Sequence, residues 1–283
     1  MQFEEKAAEE LSHLPLPEPI TEMIIHTPDN PPWGSGVAVA VWVLSVLSIF
    51  VFPALLLFPY LAAYGLSDGA EMVEFAKTDP TAVLLQVIGV LPAHIFTLFL
   101  AWLVVTRNRT LPFRKNLGWH AGGTRWWHYC IILGAFFVVA SIVLHFFPET
   151  EHEVNRILRS SRAAVVVVAI LAVATAPIVE EVVYRGILYS AFQRTFGVPL
   201  AVTAVSLMFA GIHLPQYYPS VGPIFLITLL SFTLTVLRVR TGSLLPCIIL
   251  HALFNGIQAV LLIAEPWLPT AEKTSEAAIF LTR

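Results

Sequence analysis

Residues 34–67 form an apolar run that contains no charged side chain. A membrane-spanning helix needs about 20 apolar residues, so this run is too long for one straight crossing and too short for two. It predicts one long helix, kinked or broken near Pro53 and Pro59. The other apolar runs are residues 81–106, 129–147, 163–194, 199–214, 221–237 and 243–264. We therefore predict an all-α fold, a polytopic transmembrane helix bundle of seven spans, or of eight if the first run crosses twice.

Composition divides the chain into four regions. Residues 1–33 are polar and proline-rich, which is typical of a disordered tail. Residues 34–162 form an N-terminal transmembrane region of three spans, residues 163–264 a second transmembrane domain, and residues 265–283 a C-terminal tail. Residues 107–128 combine Arg and Lys with Trp, a composition typical of the cytoplasmic lipid headgroups, so we expect a cytoplasmic N-terminus. The formal net charge of −3 does not favour a nucleic-acid partner.

The fourth apolar run contains Glu180, Glu181 and Arg185 where hydrocarbon-compatible residues are expected. Ionisable side chains inside a membrane are costly and indicate function by default. Residues four apart share a helical face, whereas adjacent residues point about 100° apart. We therefore predict that Glu181 pairs with Arg185, which leaves Glu180 directed elsewhere and available for a proton or a metal.

Two later spans each contain a histidine in apolar surroundings. His213 follows Phe209 by four residues, and His251 precedes Asn255 by four, so each pair shares a helical face. Measured along their helices, Glu180, His213 and His251 lie about 16–21 Å from the same membrane side. All three side chains are therefore expected in one layer. We interpret His94, in the second span, as a structural histidine that faces the bundle.

These residues are compatible with two hydrolytic schemes. Without a metal, Glu180 would take a proton from water oriented by His213, and His251 with Asn255 would stabilise an oxyanion. With zinc, Glu180, His213 and His251 would be the ligands. We favour the first scheme and no cofactor, because no two ligands stand at close metal-binding spacing. No nucleophilic serine motif is present, and we interpret Ser206 and Ser231 as packing residues.

The ordered motifs Glu180-Glu181-x-x-x-Arg185, Phe209-x-x-x-His213 and His251-x-x-x-Asn255 resemble the CPBP family, which comprises type II CAAX prenyl proteases and bacterial Abi proteins. The resemblance covers roughly residues 163–264. It implies an intramembrane endopeptidase in which Glu180 activates water, supported by Glu181 and Arg185. It also implies that His213 positions water or acts as a ligand, and that His251 and Asn255 stabilise the oxyanion.

The expected partners are the lipid bilayer and a lipidated or membrane-embedded peptide, within a bacterial inner membrane. Two other functions remain open at this point. A non-catalytic immunity or scaffold protein could keep the fold without the chemistry. A proton-coupled transporter could also use intramembrane Glu, His and Arg, although no repeated halves are present in the sequence.

Overall fold

The structure, a computed structural model, describes residues 26–264. Its helices are α1 (Ser35–Ala63), α2 (Gly69–Thr78), α3 (Pro80–Val105), α4 (Phe113–Asn116), α5 (Trp126–Phe146), α6 (Glu153–Ser160), α7 (Arg162–Phe196), α8 (Val198–Tyr217), α9 (Val221–Thr241) and α10 (Leu245–Ala264). Seven of them, α1, α3, α5 and α7 to α10, are long and apolar enough to cross a membrane. Since the described residues contain no β-strand, the all-α prediction of seven spans is confirmed.

Local sequence signals set the helix ends. Asp79 caps α3 by accepting a hydrogen bond from the Ala82 backbone N–H at 2.8 Å, and Pro80 occupies the first helical position, where its missing N–H costs nothing. Gly197, with φ of +81°, separates α7 from α8. Gly242, with φ of +61°, ends α9 in the left-handed conformation that glycine adopts without strain.

Helix α7 lies at the centre of the bundle. It packs against α1, α3, α8 and α10, and every residue from 181 to 192 is buried. In a helix that is buried on all sides, the side chains must be apolar or their polar groups must be paired within the protein. Two segments of α7, Leu171–Thr175 and Val182–Leu188, have π-helical hydrogen bonding. The turn between them, Ala176–Glu181, is α-helical and carries both glutamates of interest.

The outer surface of the bundle is apolar, as a lipid-facing surface must be. Large side chains that are more than half exposed include Phe50, Phe58, Val138 and Val260. The first helix, α1, continues through both Pro53 and Pro59 without a break. It contacts α3 closely at Gly89, where an added Cβ would lie 2.5 Å from the Cα of Pro53.

Residues 26–34, which the sequence assigned almost entirely to the N-terminal tail, lie across one end of α7. Trp33 is buried and donates from Nε1 to the Ile187 carbonyl at 3.1 Å. Arg194 donates to the carbonyls of Pro31 and Trp33. These contacts fix the chain as it enters α1. Residues 1–25 and the C-terminal tail from residue 265 lie outside the described part of the chain.

Candidate active site

Glu181 and Arg185 form the buried ion pair that their spacing predicts. Arg185 Nη1 donates to Glu181 Oε1 at 2.9 Å, and both side chains are 0% exposed. The remaining guanidinium donors bond to α9: Nε to Thr235 Oγ1 at 3.2 Å, and Nη2 to the carbonyl and hydroxyl oxygens of Ser231 at 2.8 and 2.7 Å. The Phe209 ring lies 5.0 Å from the guanidinium carbon. These contacts offset the cost of burying the charge.

His251 connects this pair to the second glutamate. Its Nδ1 lies 2.8 Å from Glu181 Oε1, and its Nε2 lies 3.7 Å from Glu180 Oε2. Because Glu181 is ion-paired with Arg185, its carboxylate is ionised and can only accept, so Nδ1 is the donor and carries a proton. Nε2 is therefore the ring nitrogen that faces Glu180.

The two adjacent glutamates have different surroundings. Glu181 is fully buried and held by Arg185 and His251. The side chain of Glu180 is 22% exposed, and within residues 26–264 no hydrogen bond to it is present. The arrangement leaves one neutralised carboxylate that fixes geometry and one free carboxylate that can reach water.

His213 lies beside the site but is not bonded to either glutamate in the described chain. Its Nδ1 donates to the Phe209 carbonyl at 2.7 Å, which leaves the Nε2 lone pair for another partner. The centroid of the Phe209 ring lies 4.6 Å from that of the His213 ring and 6.1 Å from that of the His251 ring. Phe209 therefore lies next to both histidines and contributes an apolar wall to the site.

Asn255 lies one turn beyond His251 on α10. Its Nδ2 donates to the Ala172 carbonyl at 2.7 Å. The carbonyls one turn before Pro177 lack a regular helical donor, since proline has no N–H, and Ala172 lies in that turn. One amide hydrogen of Asn255 thus holds α7, and the other remains for a different acceptor. The role of Asn255 toward an oxyanion stays a prediction.

The three residues proposed as zinc ligands are not gathered into a ligand set. In the part of the chain that the structure describes, no three His, Cys, Asp or Glu side chains are grouped as a metal ion requires. Glu180 and His251 are neighbours, and His213 bonds to the Phe209 carbonyl through Nδ1, which leaves its Nε2 available as a ligand. The described side chains are therefore not grouped as a zinc centre, and zinc binding by these three residues stays a prediction.

Sequence reasoning missed the polar residues that anchor the ion pair. Ser231 was interpreted as a packing serine, yet its hydroxyl accepts from Arg185, as does that of Thr235. These two residues are four apart and therefore share one helical face, and that spacing was a usable signal. Tyr184, whose hydroxyl accepts a bond from Trp42 Nε1 at 2.9 Å, was also missed.

Together, the bundle and the buried Glu–Arg–His network define a polytopic integral membrane protein with an ionisable site among its spanning helices. Residues 162–257 match the family model described as Type II CAAX prenyl endopeptidase Rce1-like, so this part of the chain is a domain of that family. All six site residues proposed from the sequence lie within the match. No curated protein and no solved structure matches the chain. Membership of this family implies an intramembrane protease.

Proposed function

We propose that this protein is an intramembrane endopeptidase in which Glu180 activates the hydrolytic water. The observation that carries the proposal is the unequal environment of the two adjacent glutamates around His251. Glu181 is neutralised by Arg185 and is fully buried, whereas Glu180 is partly exposed and has only His251 Nε2, at 3.7 Å, as a neighbouring ring nitrogen in the described chain. A free carboxylate in apolar surroundings is suited to act as a general base.

In the proposed reaction, Glu180 removes a proton from water as the water oxygen attacks the scissile carbonyl carbon. His213 Nε2 accepts a hydrogen bond from the same water, because its Nδ1–H is used by Phe209. The tetrahedral intermediate then collapses, the C–N bond breaks, and Glu180 returns the proton to the leaving amine. General base and acid catalysis of this kind contributes about 10²–10⁴-fold to the rate.

His251 and Asn255 would stabilise the oxyanion that forms on the carbonyl oxygen. Since His251 Nδ1–H is held by Glu181, donation from Nε2 requires the doubly protonated ring. Asn255 would use the amide hydrogen that is not bonded to Ala172. The loss of one oxyanion-hole donor in a protease costs about 10²–10³-fold in kcat, which sets the effect expected of either side chain.

We assign catalysis to residues 163–264, with residues 34–162 as a supporting transmembrane region. The support is the packing of α1 and α3 against α7. The substrate class that suits this site is a peptide that is lipidated or embedded in the membrane, because the site is enclosed by membrane-spanning helices. We place the N-terminus and the basic residues 107–128 in the cytoplasm, as the distribution of Lys and Arg favours.

The test is peptide hydrolysis by the purified full chain in detergent. The substrates are a farnesylated CAAX peptide, the same peptide without the lipid, and unrelated hydrophobic peptides. Glu180→Gln should lower kcat at least about 10²-fold. Glu151→Gln is the matched control, since Glu151 is a 61% exposed carboxylate paired with Arg159, and it should retain wild-type kcat.

Three outcomes would overturn the proposal. Glu180→Gln with wild-type turnover would remove its catalytic role. Activity that metal stripping abolishes and that only added zinc restores would require a metal mechanism instead. If the wild-type protein cleaves none of these peptides, and Glu180→Gln behaves like the wild type in every assay, a non-catalytic immunity or scaffold protein would be favoured.

A further inference from the structure

His94 is a buried histidine that the proposed reaction does not use. It lies on α3, outside the residues that match the family, and is 6% exposed. Its Nδ1 lies 2.9 Å from Thr175 Oγ1. A structural histidine requires only a hydrogen-bond partner, whereas this one connects a neighbouring helix to the segment that precedes Glu180.

The Thr175 hydroxyl has two partners. It lies 2.9 Å from His94 Nδ1 and 3.2 Å from the Leu171 carbonyl, so the tautomer of His94 sets which of the two atoms donates between the helices. The bond connects α3 to the end of the π segment Leu171–Thr175.

A second neighbouring helix holds the same π segment. Asn255 of α10 donates to the Ala172 carbonyl at 2.7 Å. Pro177 follows the segment and supplies no N–H, so this turn of α7 is less stabilised by its own backbone than a regular turn. Side chains from α3 and α10 thus supply contacts that the helix lacks, immediately before the turn that carries Glu180.

We infer that His94 is a positioning residue for Glu180, which acts by fixing the π segment through Thr175. The inference rests on the proposed function of Glu180 as the general base. Displacing a catalytic group by about 1 Å can cost on the order of 10²-fold in rate. A segment fixed on both sides keeps the carboxylate at the distance from water and substrate that proton transfer requires.

The test compares two matched pairs of variants in the full chain. His94→Leu and Thr175→Val remove the bond, whereas His94→Asn keeps a donor and Thr175→Ser keeps the hydroxyl. The first pair should lower kcat per folded molecule about 10–100-fold with KM within about threefold, and the second pair should stay within about threefold of wild type. The double variant His94→Leu/Thr175→Val should be no slower than the slower single variant, since both changes remove one interaction.

Amide hydrogen exchange gives a readout that does not depend on activity. Amides of Leu171–Glu181 should exchange about fivefold faster in His94→Leu, the effect of losing one hydrogen bond, while those of α9 should be unchanged. Unchanged exchange in this segment, additive losses in the double variant, or wild-type kcat in His94→Leu would each overturn the inference. If Glu180→Gln is inactive and His94→Leu is fully active, only the role of His94 fails; if Glu180→Gln is active, the proposed function fails first.

Discussion

Removing the guanidinium of Arg185 should destabilise the protein more than removing any surface arginine. The side chain is 0% exposed and makes four hydrogen bonds, one of them to the carboxylate of Glu181. Arg185→Met keeps much of the side-chain volume but leaves the buried carboxylate without a cationic partner. Breaking a buried ion pair in this way costs about 3–5 kcal/mol.

The measurement is reversible unfolding in mixed detergent micelles, titrated with dodecyl sulfate and followed by far-ultraviolet circular dichroism. Arg159→Met is the matched control, because Arg159 is 73% exposed and pairs with Glu151 at 3.0 Å. An exposed pair contributes about 0–1 kcal/mol, so this control should unfold nearly as the wild type does. Equal stability losses for Arg185→Met and Arg159→Met would refute the claim that burial makes the first pair essential.

A double variant separates the lost interaction from the stranded charge. Glu181→Gln/Arg185→Met removes both charges, so it should be more stable than Arg185→Met, with a coupling of about 0.5–3 kcal/mol. The double variant should nevertheless lack activity, because His251 loses the carboxylate that holds its Nδ1. A double variant that is as unstable as the sum of the two single variants would show that the two side chains act independently.

Two further changes test the packing of the bundle. Gly89→Ala should destabilise the protein by about 1–3 kcal/mol in the same titration, because the new methyl group would meet the backbone of Pro53. The control is Gly134→Ala, whose added Cβ would have nothing within 4 Å, and it should be neutral or stabilising. Trp33→Phe should cost about 1 kcal/mol through loss of the bond to Ile187, and an unchanged midpoint would mean that this contact does not hold residues 26–34 in place.

The sequence was most informative where a single helix carries the signal. The lengths and hydropathy of the apolar runs predicted seven spans, and the observed helices begin and end within a few residues of these runs. Helical spacing was sufficient to predict the contact between Glu181 and Arg185. Both results depend only on local periodicity and on the cost of placing charge in hydrocarbon.

Contacts between helices were harder to predict. Depth along each helix placed His213 level with Glu180 and His251, but depth does not determine which way a side chain turns, and His213 is bonded to the Phe209 carbonyl. The anchoring role of Ser231 requires knowledge that α9 lies beside α7. The bond from Asn255 to Ala172 could not be predicted from the sequence either, because it depends on a backbone carbonyl that only an irregular helix leaves free.

The two π segments determine where along α7 a change in length would matter. A π turn holds about one residue more than the α-helical turn it replaces, so it absorbs that residue without rotating the rest of the helix. In a regular α-helical turn, each removed residue rotates everything beyond it by about 100°. Leu171–Thr175 could therefore lose one residue and close in α-helical register with the glutamates still facing the site, whereas a deletion between Thr175 and Glu180 would point Glu180 elsewhere. Thr175 is the residue that His94 of α3 contacts. When relatives are compared, the number of residues between Thr175 and Glu180 should be conserved as strictly as the residues themselves.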